Sequence, residues 1–287
     1  MMNGEEAPAS AVVVIGASRG IGRAIARVAA AERRTVVLVA RSLENLVDAA
    51  NDVRVAGGVP YILGLDLLLP DATAHLEDYL SANRLVCDVL VNSAGYGLRG
   101  SATTLPIKEQ LGMIDVNIKA LTELTLHFLP AMLARKHGGV INLASIASFT
   151  PGPNMAIYYA SKSYVRSFSE ALSTELRHTG VTVTCVAPGP VATEFLDRAG
   201  ISRVALFNIL PRLTPEYVAE CAWRGFRFRR RLVIPGISAQ LTAFATSVLP
   251  SGMLLPLIGR LQRRRDDVCP CGSGLRIGKC CERRQRP

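Results

Sequence analysis

Six short runs built from Val, Ile, Leu and Ala recur along the chain: Ala11–Ile15, Thr35–Ala40, Pro60–Leu65, Val86–Asn92, Gly139–Ser145 and Val181–Ala187. Each is apolar almost throughout instead of alternating with polar residues, as a strand covered on both faces requires. Amphipathic segments of helical length separate the runs. Regular strand–helix alternation selects an α/β fold, a doubly wound parallel sheet of the Rossmann type. A chain of 287 residues, 49% hydrophobic and 20% charged, can bury the core of one such domain and carry a small appendage. No repeat at solenoid periods interrupts the pattern, and the first 225 residues contain no low-complexity linker.

The formal net charge is +10, but residues 260–287 hold nine Arg or Lys against three acidic residues and so supply +6 of it. The body is only mildly basic, which argues against a nucleic-acid binder that uses its whole surface. Of seven cysteines, Cys87, Cys185 and Cys221 stand alone and four crowd the last nineteen residues. That is no disulfide framework; it predicts a reducing compartment and a metal site. The opening MMNGEEAPAS is acidic and lacks the basic start and apolar run of a secretory signal, so the expected location is cytoplasmic.

Four regions follow: a short extension over 1–10, a nucleotide-binding domain over 11–231, an apolar extension over 232–265 and a cysteine-rich motif over 266–287. Arginines flank the apolar extension, and Pro235, Pro250 and Pro256 interrupt it, which disfavours a straight membrane-spanning helix. Two readings stay open. The segment packs over the sheet or a partner subunit, or it makes a peripheral membrane contact with its arginines on lipid phosphates.

The first run leads into Gly16-Ala17-Ser18-Arg19-Gly20-Ile21-Gly22 and then a helix-compatible stretch. Glycines there permit a tight turn and close approach of backbone to a pyrophosphate resting on the amides of a helix N-terminus. A glycine triplet alone is weak evidence; its place between a strand and a helix strengthens it. At the end of the second run stands Arg41, where NAD-selective folds usually carry an acidic residue for the ribose 2′-hydroxyl. Arg41 with Arg19 could pair with a 2′-phosphate, which favours NADP(H), although both arginines could also be plain solvated side chains. Asp66, closing the third run, would lie near the adenine edge, and an aspartate there equally suits capping of the next helix.

Tyr158 and Lys162 lie four residues apart on a predicted helix and so share one face. A cation beside a phenol favours its ionised form, which would let Tyr158 exchange a proton with a substrate oxygen near neutral pH. Ser145, at the carboxyl end of the fifth run, is placed to hydrogen-bond a carbonyl oxygen, and Ser148 is its nearest rival. Tyr159 faces elsewhere and reads as structural. The fourth run ends Asn92-Ser93-Ala94-Gly95, either a cofactor-lining segment or a simple strand-ending turn.

Taken together, Gly16/Gly20/Gly22, the N-S-A-G segment, Asn117, Ser145, Tyr158/Lys162 and Pro188-Gly189-Pro190-Val191-Ala192-Thr193 resemble the short-chain dehydrogenase/reductase family over roughly residues 11–195. The resemblance implies a cofactor site that includes Gly16, Ser18, Arg19, Gly20, Ile21, Gly22, Arg41, Asp66, Asn92, Ala94, Gly95, Tyr158, Lys162, Pro188, Gly189, Val191 and Thr193. It implies Tyr158 as acid/base, Ser145 as the group that orients the carbonyl, Lys162 on the nicotinamide ribose and Asn117 as holder of a water in the proton relay. Dimers or tetramers through the long helices around Asn117 and Tyr158 are implied as well. Ile15 stands where the family usually has threonine and Ser93 replaces an asparagine; both substitutions predict altered local hydrogen bonding without loss of activity.

The segment Cys269-Pro270-Cys271 is followed by eight residues and then Cys280-Cys281. Four thiolates gathered by a glycine-rich turn suit tetrahedral Zn2+. The motif resembles SEC-C, the zinc-binding tail of the SecA translocase ATPase, which implies docking to a protein or a ribosome.

The expected function is NADPH-dependent interconversion of a hydrophobic ketone and a secondary alcohol. The expected substrate cover runs from Phe195 through Leu196, Ile201, Leu206, Phe207 and Ile209 to Leu210. The competing reading is an NADP(H)-sensing scaffold or adaptor that acts through its zinc tail; the complete catalytic set argues against it.

Overall fold

The computed structural model describes residues 7–201, 211–262, 267, 275 and 280. Seven strands are present: β1 (Ala9–Ile15), β2 (Thr35–Ala40), β3 (Val59–Gly64), β4 (Leu85–Asn92), β5 (Gly139–Leu143), β6 (Thr182–Val186) and β7 (Leu232–Val233). They form one parallel sheet in the order β3-β2-β1-β4-β5-β6-β7. All six apolar runs are therefore strands. Their character follows from double coverage: Val12 and Val14 of β1 point into one core cluster while Ala11, Val13 and Ile15 point into the other.

Helices α1 (Gly20–Ala31) and α2 (Leu43–Val55) cover one face together with α8 (Pro215–Arg227), whose Trp223 is buried there. On the other face lie α3 (Ala72–Ala82), α5 (Leu121–Arg135) and α6 (Ala156–Glu175). Helix α4 (Ile107–Ile114) leads into α5 through a π-helical turn, Asp115–Ala120. The buried face of α1 is made of Gly22, Ala24, Ala26, Ala29 and Ala30 around one large side chain, Ile25. A one-turn helix α7 (Phe195–Arg198) follows β6, and α9 (Ile237–Val248) and α10 (Ser251–Gln262) follow β7.

The sheet changes direction of growth between β1 and β4, since β2 and β3 lie to one side and β4 to β7 to the other. At such a switch point the loops after the strands part and leave a crevice. Leu232 and Val233 pair with Cys185 and Val186, so the sheet continues past the boundary drawn at residue 231. A run of two residues is too short for hydrophobic periodicity to reveal it. No helix among the described residues is long and apolar enough to cross a membrane.

Candidate active site

A cavity of about 1130 Å³ opens at the carboxyl ends of the strands. The loop after β1 forms one rim, and its glycines are required by space. A Cβ on Gly16 (φ +83°) would fall 2.6 Å from the amide nitrogen of Ala94, and one on Gly22 would fall 2.3 Å from the carbonyl oxygen of Gly16. No side chain caps the start of α1. Its first amides, at Gly20 and Ile21 on the cavity wall, thus suit a phosphate.

Arg41 and Asp66 also line the cavity. Arg41 is exposed and holds no ion pair among the described residues. Arg19 is engaged already: its guanidinium pairs with Glu194 and donates to Asn45 Oδ1 at 3.2 Å. Asp66 Oδ1 accepts from the amide of Leu68 at 3.1 Å, closing a turn ahead of α3 instead of capping that helix.

Tyr158 and Lys162 lie on one face of α6 and Ser145 directly follows β5; all three line the cavity. Ser145 Oγ accepts from the amide of Ala147 at 3.2 Å. Ser148 is buried outside the cavity lining, its hydroxyl without a partner among the described residues, so geometry selects Ser145. Burial pushes the Tyr158 phenol up to about 12, with the Ser145 hydroxyl opposing the rise. Lys162 donates to the carbonyl oxygen of Leu143 at 2.8 Å, and burial pulls its ammonium down to about 8. The cation is thus anchored to the sheet.

Asn117 is wholly buried in the π-helical turn. Its Oδ1 accepts from the Tyr96 amide at 3.1 Å, and its Nδ2 donates to the Tyr96 carbonyl and to Ser161 Oγ, both at 3.0 Å. Both Nδ2 hydrogens are thus taken, while Oδ1 accepts one hydrogen bond, and the side chain holds the Tyr96 backbone from both sides. Gly95 is packed so closely that a Cβ would lie 2.9 Å from Asn117 Oδ1 and 3.4 Å from Lys162 Nζ.

Ala94 and Gly95 line the cavity, but Asn92 does not. Its Nδ2 donates to Thr125 Oγ1 at 3.0 Å and Asn142 Oδ1 at 2.9 Å, and Asn142 donates on to Ser169. The Asn92 side chain, expected on the cofactor, instead enters a buried network that ties β4 to β5 and their helices. Pro188, Gly189, Val191 and Thr193 follow β6 along the opposite wall, as do Phe195 and Leu196. The Phe195 ring packs 5.5 Å from that of Tyr158. Of the expected substrate cover, Leu206, Phe207, Ile209 and Leu210 lie outside the described residues.

Two residues without a sequence signal brace this site from the C-terminal side. Gln262, buried at the end of α10, donates to Tyr159 Oη at 2.7 Å, next to the candidate catalytic tyrosine. Arg99 donates to the Gln262 carbonyl at 2.9 Å and pairs with Asp267. They lie 163 positions apart in the sequence, a separation that no local pattern could bridge. Of the tail cysteines only Cys280 is described, and no cluster of three or more metal-ligating side chains occurs among the described residues; Cys269, Cys271 and Cys281 lie outside them.

Residues 10–202 match the model of the family described as short chain dehydrogenase. An uncharacterized oxidoreductase of Mycobacterium tuberculosis is 34% identical over 248 residues, covering 84% of this chain and 71% of the relative. A ketoacyl reductase of Nostoc is 29% identical over 248 residues, covering 85% of each. Among solved structures, a short-chain dehydrogenase of Sphingobium yanoikuyae in complex with NADPH superposes with a TM-score of 0.73 at 28% identity, covering 91% of this chain and 99% of that one.

Proposed function

The chain belongs to the short chain dehydrogenase family, and from that premise we propose an NADP(H)-dependent oxidoreductase that interconverts an apolar ketone and its secondary alcohol. One observation carries the reading: Tyr158, Ser145 and Lys162 converge on one cavity that also holds the uncapped start of α1 and the exposed Arg41. In this reading Gly16, Ser18, Gly20, Ile21 and Gly22 hold the pyrophosphate, Arg41 and Arg19 the 2′-phosphate, and Asp66 the adenine edge. Lys162 takes the nicotinamide ribose, Ala94 and Gly95 bring backbone close to the cofactor, and Val191 with Thr193 takes the carboxamide beside Pro188 and Gly189. The nicotinamide, when bound, supplies or accepts the hydride. Arg19 must exchange Glu194 for phosphate, which makes Arg41 the primary selector. The NADPH complex of the Sphingobium relative supports this cofactor choice.

Ser145 and Tyr158 donate to the substrate oxygen, and Tyr158 transfers its proton as charge develops there. A phenol held near 12 by burial is protonated at neutral pH, ready as an acid for ketone reduction. For alcohol oxidation the phenol must be lowered, and positive charge on Lys162 supplies that bias. Asn117 acts in this scheme by positioning: it fixes the backbone that Lys162 packs against. Phe195, Leu196, Leu98 and Ile258 on the wall favour an apolar carbonyl compound. The ketoacyl reductase relative supports a carbonyl substrate.

The test is NADPH oxidation with medium- and long-chain ketones. Tyr158→Phe is expected to lower kcat by about 10² to 10⁴, and unchanged turnover would remove Tyr158 from the mechanism. In the same assay Arg41→Asp should weaken NADPH far more than NADH; an equal effect on both would remove Arg41 from cofactor selection.

We also propose that Cys269, Cys271, Cys280 and Cys281 bind Zn2+ and that this tail docks to a protein or ribosome. The donor set supports it, since four thiolates match a structural zinc site. Purified full-length protein should carry one zinc per chain and Cys280→Ser less; a metal-free wild type would overturn the assignment. Self-association through α4 to α6 is proposed on the exposure of Ile107, Leu111 and Leu126.

A further inference from the structure

Helices α9 and α10 have two faces of different character. Inward, Ala239, Ala243, Leu254 and Ile258 are buried, and Thr242, Thr246 and Ile258 form part of the cavity wall. Outward, Ile237, Leu241, Phe244 and Val248 follow at intervals of four, three and four residues, which makes one stripe along α9. They are 76%, 64%, 70% and 66% exposed. Met253 and Leu257, 68% and 54% exposed, repeat the pattern on α10, and Arg260 continues that line. A solvent-facing helix normally turns polar side chains outward, so a sustained apolar stripe marks a contact surface.

Charge identifies what the surface meets. Between Glu220 and Asp266 the sequence contains nine arginines and no acidic residue; Arg229, Arg230, Arg231 and Arg260 are exposed, Arg231 pairing with Glu170 at 3.2 Å. A second copy meeting the same face across a two-fold axis would bring like charges against them. An anionic lipid surface offers a partner to the apolar stripe and the arginines at once. Length sets the mode of contact. Each helix has 12 residues, or about 18 Å, well short of the roughly 30 Å hydrocarbon core.

We propose that α9 and α10 dock in the plane of an anionic membrane surface, with the apolar stripes at the acyl boundary and the flanking arginines on lipid phosphates. The inference goes beyond the oxidoreductase reading and stands apart from it, because neither Leu241 nor Phe244 lines the cavity. Co-sedimentation of the full chain with phosphatidylcholine vesicles, with and without phosphatidylglycerol, tests it. Binding is expected only with the anionic lipid, falling at least about tenfold in Leu241→Glu/Phe244→Glu and again at high salt. Circular dichroism and sedimentation velocity of both proteins without lipid accompany the assay; should the double variant unfold, the exposed Ile237→Ser replaces it. Wild type that ignores anionic vesicles, or binds them no better than a folded variant, overturns the proposal. So does a variant that splits a wild-type oligomer when no vesicle binding is seen, since the stripe would then be a self-interface.

Discussion

Two charges are buried at opposite ends of β5, and they are treated differently. Lys162, beside the last residue of that strand, donates to the Leu143 carbonyl and is pulled by burial to about 8. Asp88 lies beside the first residues, its side chain only 3% exposed, and pairs with Arg34 and with His137 Nδ1, the latter at 2.8 Å. The register of β4 explains the position of Asp88. Ala11 pairs with Cys87 and Val12 with Val89, so Asp88 is the extra residue of a β-bulge, a device that re-aims a side chain. A buried charge with two ionisable partners holds strands and loops together. One held by a single carbonyl beside a cavity keeps its destabilisation available for chemistry.

The sharpest break of this comparison is Arg34→Met. It strips the guanidinium from a carboxylate that stays buried, and a loss of about 3 kcal/mol is expected from chemical denaturation. A loss below about 0.5 kcal/mol would mean that His137 alone suffices.

Lys162→Met should act in the opposite direction on stability while abolishing turnover. The ordinary lysine value of 10.5 holds in the unfolded chain and about 8 in the folded one. The unfolded state therefore binds more protons between those values, and wild-type stability rises with pH across that window. Below pH 8 the full penalty applies, so the methionine variant should gain at most about 3 kcal/mol at pH 7. Above 10.5 the gain should vanish. A destabilised variant at pH 7 would show that the Leu143 hydrogen bond outweighs burial.

Smaller still is Asp88→Asn. The partly exposed Arg34 and exposed His137 can return to water, and the amide can still accept hydrogen bonds. Melting should show a loss of about 1–2 kcal/mol. A larger loss than for Arg34→Met would reverse the argument about which partner needs the other.

Six of seven strands and the residues at their carboxyl ends were readable because each depends on local chemistry. An apolar run, a glycine that must turn tightly and a tyrosine four positions before a lysine are written within a few residues of one another. The same locality misled at Asn92. The motif places it beside a cavity-lining segment, but side chains alternate along a strand, and its direction toward Thr125 and Asn142 is set by neighbours 33 and 50 positions away. Asn117 was found by resemblance, yet its three hydrogen bonds to Tyr96 and Ser161 follow from a π-helical turn that no pattern of residues announces.

By itself the sequence determined the class of fold, the glycine cradle and the Tyr158–Lys162 pairing, since periodicity and spacing within one element decide them. Tertiary structure alone decided that Lys162 is anchored to Leu143 and that Ser145 rather than Ser148 reaches the cavity. It also decided that Gln262 braces Tyr159 and that one face of α9 is left apolar toward solvent. The physical reason is common to all four. Burial, desolvation and hydrogen-bond partnership are properties of where chain segments distant in sequence come to rest.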